Sequence, residues 1–351
     1  MLLDAIAALR ADTNGKSRSA DAAQALAQLR DRKLEKAALE EEIKASRRAV
    51  LVVNTLSRRG AYTYSEVKRQ LKKAELILDA FPVRHPERIH EIVLDAIEQG
   101  RKFIIIGGGD GAISSVVDHF AYTRVVFGVL PLGTANSFAR TLGIPLNLAG
   151  AIDVLINGKV ADVDLGKIND DYFANGSSIG MPAVVGRATP HALKKCLGRA
   201  AYALVAVNKF MHYHSFRCIV AIGNRKTCFD ALDVKIASGG YQGGVLVASE
   251  ANPDNGEILV HVLKGNSKWA IAREWARLAL HAPLAPANIE EFRAQELRID
   301  AIPTQFVAID GEVIAQTPIQ VSVARNALLL MVPRAYQEFE DRAKSGMPPL
   351  A

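Results

Sequence analysis

The chain has 351 residues, enough for two domains that each bury a core, and its composition, 49% hydrophobic and 23% charged, is ordinary for a soluble globular protein. A net charge of +6 suits an anionic ligand or an anionic membrane face; no helix dense in Lys and Arg with interleaved aromatics argues for nucleic acid as a partner. Cys196, Cys218 and Cys228 form no C-x-x-C pair and leave an odd count, which suits reduced thiols in a cytoplasm better than a disulfide framework. The opening MLLDAIAALRADTNG is a poor signal peptide, and no run approaches the roughly 18 apolar residues of a spanning helix.

Residues 1–48 read as helix, turn (TNGKSRS) and helix, an extension to the main body. The apolar stripe of the second helix (Leu26, Leu29, Leu34, Ile43) is broken, which fits a solvated helix lying on the body or a dimerising or membrane-surface helix. From 49 to about 155 the chain alternates. AVLVVN is a strand, SEVKRQLKKA a helix with Ser65 as N-cap, and ELILDAF a strand. HPERIHEIVLDAIEQG is a helix with Pro86 in its first turn and Gly100 past its end. RKFIII and RVVFGVL are strands, each followed by a glycine turn and a helix. This alternation predicts a parallel sheet with helices on both faces. From 156 to 325 short strand-like runs (DYFANGSSI, SFRCIVAI, KTCFDALDVKIAS, EILVHVLK, ELRIDAI, TQFVAID, IQVSVA) predict a mainly antiparallel β domain. Residues 326–351 return to the first lobe and end as a tail.

The glycine loop in KFIIIGGGDGAISSVV poses the functional question. It fits G-x-G-x-x-A at Gly107, Gly109 and Ala112, but the next strand ends at Pro131 with no carboxylate for a ribose. Asp110 inside the loop repels phosphates unless a divalent metal or a hydroxyl substrate is present. A P-loop is excluded because Ala112, not Lys, follows Gly111. GSSIG (Gly176–Gly180) matches the nucleophile elbow only loosely and reads as a strand end packed with small residues. No His or Cys cluster has metal-ligand spacing; the HYH of His212 and His214 reads as a helix end.

Four separated pieces stand in order: VVNTLSRRG (Val52–Gly60), GGGDGAIS (Gly107–Ser114), VLPLGTANSFAR (Val129–Arg140) and IDGE (Ile309–Glu312). With DVDLGKI, LGRAAYAL and VARNALLLMVP, this set resembles the bacterial diacylglycerol kinase-like lipid kinases, the group that includes sphingosine and ceramide kinases. The resemblance covers about Ala49–Pro333. It implies an α/β nucleotide-binding lobe with a parallel sheet and a mainly antiparallel β second domain that holds the lipid tails. It also implies transfer of the γ-phosphate of ATP, with Mg²⁺, to the hydroxyl of diacylglycerol, ceramide or a sphingoid base. The protein would then be cytoplasmic and peripherally associated with the inner face of the membrane, with Lys194, Lys195 and Arg199 facing anionic lipid. The N-terminal helices offer a homodimer interface.

The resemblance assigns nucleotide contacts to Asn54, Ser57, Gly108, Gly109, Asp110, Gly111, Ala112, Ser114, Gly133 and Thr134. Glu312 is the implied proton acceptor from the lipid hydroxyl, with Asp310 binding metal or orienting it and Asp110 serving a metal or the acceptor region. A second-domain Mg²⁺ site is implied at Asn252, Asp254, Asn255 and Glu257, although N-G also suits a hairpin turn. The chain departs from the family at Thr55 and Arg58, at Ala112, Ser114 and Ser115 in place of Thr, Asn and Glu, at Ser137 in place of Asp, and at Asn255 in place of Asp. Asp110 and Glu312 are retained, which favours an active kinase over a silent lipid- or nucleotide-binding protein or an NAD kinase.

Overall fold

The computed structural model describes residues 17–55, 60–85, 87–188, 205, 208–242, 245–246, 255–267, 269–279 and 288–338. Helix α1 (Ser17–Ser46) leads into β1 (Arg48–Asn54), α2 (Gly60–Lys73), β2 (Ile77–Val83), α3 (Glu87–Glu98) and β3 (Phe103–Gly108). Two short helices follow, α4 (Asp110–Ser114) and α5 (Val117–Phe120), then β4 (Val126–Pro131), α6 (Ser137–Thr141) and α7 (Leu148–Asn157). Strands β2, β1, β3 and β4 pair in parallel, as the alternating pattern predicts. Their buried runs (Val50–Val53, Phe103–Ile106, Val126–Leu130) read as continuous apolar stretches because helices cover both faces.

Two details differ from the sequence reading. Helix α2 begins at Gly60, so Ser65 lies inside it rather than capping it. The helix after the glycine loop is broken: Val116 leaves helical geometry at φ −124°, and the Ser115 hydroxyl donates back to the Ala112 carbonyl.

The second lobe comprises β5 (Lys159–Ile168), β6 (Asp171–Phe173), β7 (Gly176–Gly180), α8 (Met181–Ala188), β8 (Phe216–Ile222), β9 (Arg225–Ala237), a hairpin of β10 (Tyr241–Gln242) and β11 (Val245–Leu246), and β12 (Ile258–Lys264). Helix α9 (Trp269–Ala279) and strands β13 (Ile289–Ala294), β14 (Glu296–Ile302), β15 (Phe306–Ile309), β16 (Glu312–Gln316) and β17 (Ile319–Val332) complete it. Pairing here is antiparallel, in the order β16-β15-β7-β9-β8-β14-β17. GSSIG is strand β7, paired on both sides.

The two lobes are joined within strands. Strand β17 pairs with β14 at Ile319–Ser322, then runs on to lie parallel to β4 at Leu329 and Leu330. Strand β5 follows it antiparallel along its length, with a register shift between Ala324 and Leu328. At this bulge Asn326 takes φ 51°, its N–H donates to Asp164 (2.7 Å), and the other Asp164 oxygen accepts the Gly256 N–H of the second lobe (2.8 Å). Burial pushes the Asp164 carboxyl up, against the pull of those two N–H groups.

Helix α1 lies on this junction. Leu39 and Ile43 are buried, whereas Leu34 of the predicted stripe stays 60% exposed. Charge supplies most of the remaining contact. Arg32 grips Asp162 with Nε and Nη2 (2.9 and 2.7 Å) and donates to the Asn326 carbonyl (2.8 Å). Lys36 sits between Asp162 (3.0 Å) and Glu338 (2.5 Å). Burial works against the Lys36 charge, but Asp162 and Glu338 outweigh it and hold its pKa above the ordinary value.

Candidate active site

The glycine loop leaves the C-terminal end of β3, and the PLGTAN turn leaves the end of the adjacent β4. Crevices outside the carboxyl ends of parallel strands are where open α/β sheets bind ligands. The two loops touch. A Cβ on Gly133 would come within 2.4 Å of Gly109 Cα, so these glycines are required by loop-on-loop packing. Likewise a Cβ on Gly108 would meet the Ala112 Cβ at 2.6 Å. Gly111 is different: a Cβ there would meet nothing within 4 Å, and the residue is exposed. Protein packing does not explain Gly111, whereas close approach of a ligand does.

Asp110 ties the loops together. Its Oδ1 accepts the Phe138 N–H (3.1 Å) at the start of α6. Asn136, which sequence reasoning passed over as a site residue, braces the second turn. Its side chain accepts from Gly133 N–H and donates to the Gly133 carbonyl, both at 2.9 Å, from the left-handed region at φ 50°. Asn tolerates that region, and this is the signal within PLGTAN that could have identified it. Thr134 is exposed at the tip of the turn, and Asn54 is half-buried at the end of β1. Ser57 lies outside the described residues, as do Lys194, Lys195 and Arg199.

The Asp310–Gly311–Glu312 turn links β15 to β16 at the edge of the second-lobe sheet. Asp310 holds φ 45° and Gly311 φ 94°. The Asp310 carboxylate is filled by backbone donors: Oδ1 accepts from Asn175 (3.1 Å) and Gly176 (3.0 Å), and Oδ2 from Ala174 (2.9 Å). The Ser114 side chain of the glycine loop lies beside it. Burial pushes the Asp310 carboxyl up, opposed by the three N–H groups and by Ser114. The Ser114–Asp310 contact therefore joins the turn to the glycine loop across the lobes. Glu312, two residues on, is exposed, and no hydrogen bond or ion pair holds it among the described residues. Ile314, at the bulge two residues on in the same strand, is 55% exposed.

At the implied second-domain metal site, Asn252 and Asp254 lie outside the described residues. The Asn255 side-chain oxygen accepts the Glu257 N–H (3.1 Å), and the Gly256 N–H goes to Asp164. The visible part is thus a turn anchored on β5. Among the described residues no three acidic, His or Cys side chains gather around a metal-sized space. The Asp110 carboxylate has one oxygen that takes no protein donor among the described residues, so a cation fits there better.

Residues 48–168 match the diacylglycerol kinase catalytic domain, and residues 176–332 match the YegS C-terminal NAD kinase beta sandwich-like domain. A Pseudomonas aeruginosa protein named "Probable lipid kinase YegS-like" is 29% identical over 69% of this chain and 80% of its own length. A Staphylococcus epidermidis diacylglycerol kinase is 28% identical over 64% of this chain and 76% of its own. The crystal structure of a diacylglycerol kinase from Bacillus anthracis shares the fold, with a TM-score of 0.66 at 20% identity over 83% of this chain and 98% of that one. Glycine loop, braced second turn and Asp-Gly-Glu hairpin fall within the two matched domains, and the chain belongs to the diacylglycerol kinase-like family of lipid kinases.

Proposed function

We propose that this kinase transfers the γ-phosphate of ATP to the hydroxyl of a membrane-resident lipid such as diacylglycerol, ceramide or a sphingoid base. The observation that carries the reading is the approach of Ser114 on the glycine loop to Asp310 of the Asp-Gly-Glu turn, which brings the two motifs to one cleft. The phosphates lie over Gly109 and Gly111, where first-turn N–H groups have no intrahelical acceptor. Thr134 donates to the nucleotide from the facing turn. Mg²⁺ fits at the open oxygen of Asp110, where it would neutralise charge on the β- and γ-phosphates.

Asp310 has its oxygens committed to the 174–176 backbone, so its role is to orient the turn. That leaves Glu312 as the base. From the start of β16, just after Gly311, it takes the proton of the acceptor hydroxyl, whose oxygen attacks the γ-phosphorus as the bond to the β-phosphate breaks and ADP leaves. The exposed Ile314 nearby in the same strand offers a contact for the apolar part of the acceptor. The acceptor would be reached by peripheral docking of the protein on the membrane that carries it.

The test is radiolabelled ATP with mixed micelles of diacylglycerol, ceramide or sphingosine, for wild type and Glu312→Gln. A labelled lipid that disappears in the variant supports the reading and names the acceptor. Label on NAD alone would replace lipid by a dinucleotide acceptor. ATP binding with no transfer to any acceptor would refute catalysis.

A further inference from the structure

Trp269 opens helix α9 and is 69% exposed, the most open of the large hydrophobic residues in the described chain. Its ring meets Phe210 edge-on, with centroids 5.6 Å apart. Met211, next in sequence, is 62% exposed. An open Trp ring seated on Phe210, with the next residue Met211 also open, is unusual on a soluble surface. The helix itself is anchored from its other side: Ile271 is buried against Met181, Val185, Leu232 and Leu263. So α9 presents one face to the lobe and leaves Trp269 outside it.

The flanking residues are cationic. Arg273 lies one turn after Trp269 on the same helix face and is exposed, and Lys209 precedes Phe210 and is exposed. Neither is held in an ion pair among the described residues. The helix sequence carries one acid, Glu274, and two arginines, Arg273 and Arg277. An aromatic ring with an apolar body, a flexible thioether and uncommitted cations is the composition that settles at a bilayer interface. The ring and Met enter the acyl boundary while Lys and Arg meet lipid phosphates.

The patch is also placed for the reaction. The α9 face packs through Met181 and Val185 onto α8, and Gly186 of α8 approaches Val313, the residue after Glu312. We infer that Trp269 and Met211, with Lys209 and Arg273, form the surface by which this chain docks on an anionic membrane. The inference rests on the proposed lipid acceptor, because docking brings the Glu312 hairpin to the leaflet that carries it.

The experiment measures partition onto phosphatidylcholine vesicles with and without phosphatidylglycerol. The wild type, Trp269→Ala and the Lys209→Ala/Arg273→Ala double variant are compared, all being surface changes checked for unchanged melting. Loss of about tenfold in partition is expected for Trp269→Ala. Loss of about 25-fold on anionic vesicles is expected for the double variant, about fivefold per cation. Brominated lipid should quench the wild-type fluorescence and leave Trp269→Phe much less affected. Equal partition of all three proteins, or quenching that Trp269→Phe does not reduce, overturns the proposal. So does loss of self-association, rather than of vesicle binding, in Trp269→Ala, which would give the patch to a second copy. Phosphorylation of a monomeric short-chain diacylglycerol, ceramide or sphingoid base separates the two readings. Retained in every variant, it leaves the kinase reading intact whatever the vesicles show; absent for all three in the wild type, it removes the kinase reading and leaves docking to the vesicle result.

Discussion

Gly111→Ala separates a glycine kept for packing from one kept for a ligand. The new methyl would meet no protein atom within 4 Å, and Gly111 lies in the short helix α4. Ala in place of a helical Gly stabilises by about 0.5–1 kcal/mol, chiefly by restricting the unfolded chain. If phosphate approaches the backbone there, the methyl removes one charge-assisted hydrogen bond of about 1.5–3 kcal/mol. ATP affinity should then fall by roughly 10- to 150-fold while stability rises. Gly133→Ala provides the contrast. Its Cβ would sit 2.4 Å from Gly109 Cα and 2.9 Å from Asn136 Oδ1, and relieving that overlap costs about 1–3 kcal/mol. Calorimetric ATP titration and denaturant melts on both variants read the two quantities apart. A stabilised Gly111→Ala with wild-type ATP affinity would refute the phosphate assignment; a destabilised one would refute the open-space argument.

Glu312→Gln should lower kcat by about 10²- to 10⁴-fold with the KM for ATP unchanged, as loss of a general base does; steady-state kinetics check it. Asp310→Asn puts an amide donor against backbone donors now held at 2.9–3.1 Å, so it should cost about 1–3 kcal/mol and reduce turnover while ATP still binds. Asp162→Asn leaves Arg32 without its counter-charge, whereas Lys36 keeps Glu338, so about 3 kcal/mol should be lost in chemical denaturation. The Lys36 pKa is raised on folding, so its contribution is full below 10.5, the value of an unperturbed lysine, and is lost as pH rises past the folded value. Melting temperature should therefore fall in strongly alkaline buffer, and Lys36→Met should flatten that decline.

Much of the first lobe is legible because its strands are apolar throughout and its helices amphipathic, so local pattern and global fold agree. The paired glycine turns and the Asp-Gly-Glu hairpin are legible as motifs, since each is a short local device. What joins them is not. Ser114 comes beside Asp310 only because the 174–176 backbone, leading into β7, runs alongside β15, a pairing no local pattern encodes. Helix boundaries failed where side-chain chemistry overrode propensity, as at Ser115.

The N-terminal helix shows the same limit in another form. Its weak apolar stripe favours a loosely solvated helix, yet Arg32 and Lys36 converge on one buried carboxylate. In sequence they are two cations among many, and their partner Asp162 is one of two aspartates in the otherwise apolar run from Val160 to Leu165. Asp162 and Asp164 stand two apart and so share a strand face. One takes the charges of α1; the other takes N–H groups from the β17 bulge and the Asn255–Glu257 turn. A buried carboxylate in an apolar run is the sequence signal of such a junction, because burying it alone is too costly to persist without partners. DVDLGKI carried that signal. It marks the place where α1, both lobes and the return strand meet, and it makes α1 part of the structure that sets how the lobes are held together.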